Sequence, residues 1–161
     1  MEVGFIYIKN EGLNTECEKD IMELLLKQKI EILKQKELVL TEQLLRMHQP
    51  IIFTSESETE FWKHQSVERM LDKKVKMFMV KSQGCIAITN RIKRLIRSKY
   101  TKEYDVVNKI SYPTYMHAAS TLEEVERDVF VLMPDQLELL HKINGIHDEL
   151  TKQLQLSTKG K

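Results

Sequence analysis

The apolar residues of this chain switch repeatedly between the period of a strand and the period of a helix, and that alternation limits the fold more than any other feature. Phe5 to Ile8 is a short aliphatic and aromatic run, a buried strand by composition. From Thr15 the spacing becomes helical, with Cys17, Ile21, Leu24 and Leu25 as the stripe and Asn14 or Thr15 as the cap. Ile30 to Leu33, continued by Leu38 to Leu40, reads as a second strand whose middle, Lys34 to Glu37, is polar. Thr41 caps a second helix carrying Leu44, Leu45 and Met47. Ser55 to Thr59 is a polar connection, and residues 58–71 look helical, with Phe61, Trp62, Val67 and Met70 on or near one side. Val75 to Val80 is the clearest strand after the first, Ala87 to Lys99 a basic helix, and 122–128 a short acidic one. Phe130 to Met133 reads as a final strand closed by Pro134. From Gln136 the pattern is helical again, with Leu139, Ile143, Ile146 and Leu150 in one stripe and Asn144-Gly145 as a candidate break. Four strands interleaved with helices point to an antiparallel sheet with helices packed on it, an α+β fold.

Composition excludes several classes. A chain of 161 residues buries a normal core as one domain without disulfide staples. Its two cysteines, Cys17 and Cys85, lie far apart without zinc spacing and fit a reducing compartment. A net charge of +1 gives no global pull toward nucleic acid or membrane. No apolar run approaches the length of a membrane span, and Met1 to Gly4 lacks the basic region of a signal peptide. A cytoplasmic protein is the expectation.

One stretch carries chemistry. Tyr115-Met116-His117-Ala118-Ala119-Ser120-Thr121 sets a single histidine on a short loop, with small neighbours after it, just before the acidic helix. A neutral imidazole is nucleophilic and titrates near physiological pH. On spacing alone, such a histidine is more often structural than chemical.

This segment resembles the active-site motif of the nucleoside diphosphate kinases, N-x-x-H-G-S-D followed by a short acidic helix, with Thr114, Ala118, Ala119 and Ser120 at the Asn, Gly, Ser and Asp positions. The resemblance is collinear over residues 4–135. Phe5 to Gly12 resembles the family's first strand, which ends in aliphatic-Lys-Pro-Asp; Glu60-Phe61-Trp62 falls at Pro-Phe-Phe. Met77 to Val80 and Gly84 resemble its third strand and turn, and Ile88-Thr89-Asn90-Arg91 its Lys-Thr-Gly-Arg. It implies a ferredoxin-like βαββαβ antiparallel sheet with an extra helical pair before the third strand and a C-terminal helix. A kinase-like domain would span 1–135, and 136–161 would be a helical extension and tail.

The implied activity is phosphoryl transfer from a nucleoside triphosphate to a nucleoside diphosphate through phospho-His117, with Mg²⁺ arriving on the donor phosphates, since no carboxylate cluster supplies a metal cage. Asp128 lies where the family has the glutamate that hydrogen-bonds the histidine; its plain alternative is the polar end of a helix. Lys9 stands at the lysine that reaches the phosphates, a task suited to a compact point charge. Arg91 best matches the phosphate arginine, which puts Arg97 at a phosphate-contacting threonine; a shifted register would pass the role to Lys93 or Arg94. Taken alone, the cluster from Arg91 to Lys102 is a solvated basic face, or a nucleic-acid patch with only Tyr100 and Tyr104 to stack on bases. Trp62 sits where the family stacks a phenylalanine on the base, and is equally a core or interface residue.

The departures are as informative. A second phosphate arginine of the family falls at Tyr104, thirteen residues before His117, and Lys109 is the only cation between them. The asparagine that contacts the ribose becomes Thr114, and Ala119 lacks a hydroxyl that would help position the carboxylate. One lost phosphate cation costs about two decades in rate. The alternative is therefore a nucleotide-binding or assembly module without turnover, its amphipathic C-terminal segment serving as a partner helix. The family resemblance also implies a homo-oligomer.

Overall fold

Threonines set where three of the helices begin. In the computed structural model, which describes residues 1–53, 66–102 and 113–145, the hydroxyls of Thr15, Thr41 and Thr121 accept hydrogen bonds from the amides of Cys17, Leu44 and Glu124. Each satisfies an orphan donor of a first helical turn and contributes about 1 kcal/mol. The elements run β1 (Glu2–Ile8), α1 (Glu16–Lys27), β2 (Glu31–Val39), α2 (Glu42–His48), β3 (Lys74–Ser82), α3 (Cys85–Tyr100), β4 (Met116–Ala118), α4 (Leu122–Leu132) and α5 (Leu137–Asn144). Residues 66–70 are also helical. Gly84, with φ +58°, supplies the left-handed backbone that turns β3 into α3.

The sheet has the order β2-β3-β1-β4 with every neighbouring pair antiparallel, the ferredoxin-like arrangement. β1 is central and apolar on both sides. Its Ile6 and Ile8 join Phe78, Val80, Met116 and Ala118 under α1 and α3, whose Ile21, Leu25, Ile92 and Ile96 complete one core. Its Phe5 and Tyr7 join Met77 and Met79 under α2, α4 and α5, with Leu45, Val125, Val129, Leu132 and Leu140 completing the other. β2 lies at an edge and is largely exposed, which accounts for its polar middle, and a bulge falls between Ile32 and Lys34.

Three sequence expectations are corrected. Phe130 to Met133 is not a strand: α4 continues to Leu132. Five successive apolar residues fit either structure by composition. Helix geometry carries Val125, Val129 and Leu132 onto one face. Burying each is worth about 2 kcal/mol, whereas the poor helix propensity of valine costs only about 0.5 kcal/mol. The fourth strand is instead Met116–Ala118, paired through Ile6↔Ala118, Tyr7↔His117 and Ile8↔Met116. His117 therefore sits on a strand and not on a loop.

The C-terminal stripe is the third correction. Leu139 is 37% exposed, and it is Leu140, 2% exposed, that packs into the core beside Leu137 and Ile143. Ile146 and Leu150 lie outside the described residues. α5 stops at Asn144, where Gly145 has φ +81°. The Asn144 side chain accepts from Val3 N at 2.7 Å and donates to Val3 O at 3.1 Å, while His141 Nε2 meets Glu126 Oε1 at 2.6 Å. These contacts seat α5 against β1 and α4.

Candidate functional site

Strand pairing builds the site. Because Tyr7 stands opposite His117 in the β1–β4 register, the two side chains leave the sheet side by side on the α2/α4 face. Their rings stack at 4.6 Å with 24° between planes. Asp128 reaches down from α4, where it is inward-facing beside Val125, Val129 and Leu132. His48, at the C-terminal end of α2, closes the group, its ring 4.9 Å from that of His117 and edge-on.

The polar atoms form a chain. His117 Nε2 lies 2.8 Å from Asp128 Oδ2, His48 Nδ1 lies 2.9 Å from Asp128 Oδ1, and His48 Nε2 lies 3.0 Å from the Tyr7 hydroxyl. The His48–Asp128 contact is close but out of line for a straight hydrogen bond, so among the described residues His48 Nδ1 has no well-aligned acceptor. Side-chain exposure falls from 18% at His117 to 4% at Asp128 and 1% at His48, so only His117 opens to solvent. Burial alone would raise the Asp128 carboxyl, but the hydrogen bond from His117 and the contact with His48 outweigh it and hold it below its ordinary value. Burial lowers the His117 imidazole below its ordinary value despite Asp128, and keeps it neutral and nucleophilic at neutral pH. Burial and the Asp128 charge push the Tyr7 hydroxyl well up, so it stays protonated.

The Asp128 contact also fixes which nitrogen can react. A proton on His117 Nε2, donated to Asp128, leaves the lone pair on Nδ1, which has no hydrogen bond among the described residues.

Cations gather at the same end of the sheet. Lys9, just past β1, donates from Nζ to Thr114 Oγ1 at 2.5 Å. Burial, and then the Arg97 charge, lower its ammonium to about 8. Arg97 reaches from α3 to β4 and donates to Met116 O at 3.3 Å, while its buried Nε has no acceptor among the described residues. Lys93, one turn earlier, is half-buried and feels the Arg97 charge. Arg94 lines a shallow depression with Asn90, Ser120 and Thr121. Arg91 is exposed and sits about 120° round the helix from Arg97, away from His117.

The backbone ahead of β4 is strained. Tyr115 has φ +65°, uncommon for an aromatic residue, and Met116 N donates to Thr114 O at 2.7 Å across it, as in a γ-turn. Lys9 N donates to Tyr115 O at 2.8 Å, which ties this turn to the end of β1. Strain of about 1–3 kcal/mol held in this way is typical of functional loops.

The structure thus brings together His117, Asp128, Lys9, Thr114 and Arg97, and leaves Arg91 apart. Trp62, Tyr104 and Lys109 lie outside the described residues. His48 and Tyr7 are additions. Tyr7 reads from sequence as core, and His48 as the unremarked end of a short helix. After β4, Ser120 donates from its amide and its hydroxyl to Glu124 Oε2 at 2.6 and 2.7 Å, which fixes the turn into α4.

No protein-family model matches the sequence, and no curated protein resembles it closely enough in sequence to match. Solved structures do match. A nucleoside-diphosphate kinase from Borrelia burgdorferi, solved as a transition-state mimic with vanadate and ADP, superposes with a TM-score of 0.66 at 16% identity, over 81% of this chain and 86% of that one. The nucleoside diphosphate kinase of Encephalitozoon cuniculi gives 0.62 at 15% identity, over 85% and 92%. That of Halobacterium salinarum, in complex with CDP, gives 0.62 at 12%, over 81% and 86%. The chain has the fold of the nucleoside diphosphate kinases.

Proposed function

We propose that the chain is a divergent member of the nucleoside diphosphate kinase family and transfers a phosphoryl group from a nucleoside triphosphate to a nucleoside diphosphate through His117. The observation that carries the reading is the His117–Asp128 pair on a half-open strand edge, with Lys9 and Arg97 beside it. His117 Nδ1 would attack the γ-phosphorus; an N–P bond forms as the P–O bond to the diphosphate breaks, and the diphosphate leaves with the electron pair. A second nucleoside diphosphate then takes the phosphoryl group and frees the imidazole. Asp128 holds the Nε2 proton throughout and stabilises the positive charge that develops on the ring. Lys9, Arg97 and Lys93 would neutralise the equatorial phosphate oxygens, and Thr114 would orient Lys9.

His48 supports this reading in one respect. It meets the Asp128 oxygen that His117 does not use, a task that the family motif gives to a hydroxyl at the position of Ala119. Mg²⁺ demands oxygen ligands and keeps much of its water. Among the described residues, the only carboxylate bonded to His117 already has two histidines against it, so these residues fit a metal that is carried on the nucleotide phosphates, where it would offset their charge.

A nucleotide-binding module without turnover is the competing reading, and the absence of an arginine between Tyr104 and His117 favours it. A homo-oligomer in the cytoplasm belongs with either reading. No helix among the described residues is long and apolar enough to cross a membrane. The test is incubation with γ-labelled ATP and Mg²⁺. Label that survives base, is lost in acid, and chases onto added nucleoside diphosphates supports the kinase; nucleotide binding with no label supports the module.

A further inference from the structure

We propose that His48, His117 and Asp128 form a binding site for a divalent transition-metal ion of the zinc class, and that a metal held there blocks phosphorylation of His117. The metal site stands on its own geometry; only the block rests on the kinase reading. One ligand atom from each residue lies within 4.8 Å of the other two. Two imidazoles and one carboxylate are a set that zinc and its neighbours accept, with a fourth position left for water or an anion, and a set that magnesium does not select. The fourth position would face solvent, because His117 is the exposed member.

Two further observations point to a ligand. His48 Nδ1 is buried and has no aligned hydrogen bond among the described residues, although it points into the cluster beside Asp128 Oδ1. A metal-bound histidine ordinarily donates its other N–H to an outer partner that fixes the ring. His48 has that partner already, in the Tyr7 hydroxyl 3.0 Å from Nε2. Coordination through His48 Nδ1 then needs only a proton on Nε2, where Tyr7 accepts it.

The same proton accounting links the metal to chemistry. A neutral imidazole has one lone pair. A metal on His117 Nε2 moves the ring proton to Nδ1 and removes the lone pair that would attack phosphorus. The metal and the phosphoryl group thus exclude each other without competing for the same atom.

The test is titration of the full chain with Co²⁺ alone, followed by visible absorption and calorimetry, and then displacement by Zn²⁺. One equivalent with low-coordinate d–d bands and no thiolate charge-transfer band is the expected result. His48→Ala and Asp128→Asn should each weaken binding by about a hundredfold, Tyr7→Phe by about tenfold through the outer partner, and His141→Ala not at all. Asp128→Asn and Tyr7→Phe nearly preserve side-chain shape and keep the test decisive if His48→Ala does not fold. Binding that is unchanged in Asp128→Asn and Tyr7→Phe, displacement by millimolar Mg²⁺, or a sulfur band would each overturn the site. Zinc-loaded protein should take no label from γ-labelled ATP while metal-free protein does. Metal binding by a chain that never labels removes the kinase reading and leaves the site; labelling without Co²⁺ binding does the reverse.

Discussion

The two faces of the sheet are built from the same strands and differ in what they bury. Under α1 and α3 the core is mainly apolar, with Ile6, Ile8, Phe78, Ile92 and Ile96 in contact and the free thiols of Cys17 and Cys85 as its softest members; the buried Thr89 and Asn90 of α3 carry no charge and donate to backbone carbonyls. Under α2 and α4 the neighbours of Phe5 and Met79 include a buried polar chain, Tyr7–His48–Asp128–His117. An unpaired buried carboxylate costs several kcal/mol, and the second face is tolerable because His117 bonds Asp128, His48 lies against its other oxygen, and Tyr7 bonds His48. One face maintains the fold. The other gives up some stability to hold a neutral histidine at the sheet edge.

The largest effect that would test this division is His117→Ala. It should abolish phosphoryl transfer, a loss of at least about 10⁴-fold, and lower stability as well, since the buried Asp128 carboxylate loses its aligned hydrogen-bond partner. Ile92→Ala on the opposite face should act on stability alone, at a cost of about 2–5 kcal/mol, with turnover per folded molecule unchanged. Asp128→Asn should cost about 10²–10⁴-fold in kcat and lower stability as well, because two histidines lose an anionic partner. If it changed stability alone, the polar chain would be structural.

Smaller effects sharpen the contrast. His48→Leu should reduce kcat by about tenfold and leave the nucleotide KM in place, since His48 touches Asp128 and not the phosphates. Nucleotide affinity should decline as pH rises through about 8, where Lys9 loses its proton. The sign follows from charge: the cation that attracts phosphate predominates below that pH, and the neutral amine above it. Lys9→Arg should flatten the decline, which titration calorimetry at successive pH values would detect. The smallest effect is expected from Arg91→Ala, within about 0.5 kcal/mol for binding and stability alike; Arg97→Ala should weaken nucleotide binding about tenfold. Reversed ranks would show that α3 presents a different face to the ligand.

Much of the fold is legible in the sequence because burial imposes periods. Phe5–Ile8, Val75–Val80 and the stripe Cys17, Ile21, Leu25 each declare their element. β4 does not, for its three residues are too few to show an alternation. The run from Val129 to Met133 misleads for a related reason, since a fully buried helix turn and a buried strand have the same composition. Within the site, the histidine and its carboxylate could be named because resemblance fixed their spacing. His48 could not, since nothing in Arg46-Met47-His48 signals that sheet closure will carry it to Asp128. Arg97 over Arg91 is a matter of helix phase, which only the seating of Ile92 and Ile96 on the sheet decides.

The most direct measurement is phosphorus and nitrogen NMR of the protein after brief exposure to ATP and Mg²⁺, which distinguishes the two phosphohistidine isomers. Because Asp128 occupies Nε2 of His117, the account predicts a single phosphoryl group on Nδ1. A phosphoryl group on Nε2, or on any residue other than His117, would contradict it.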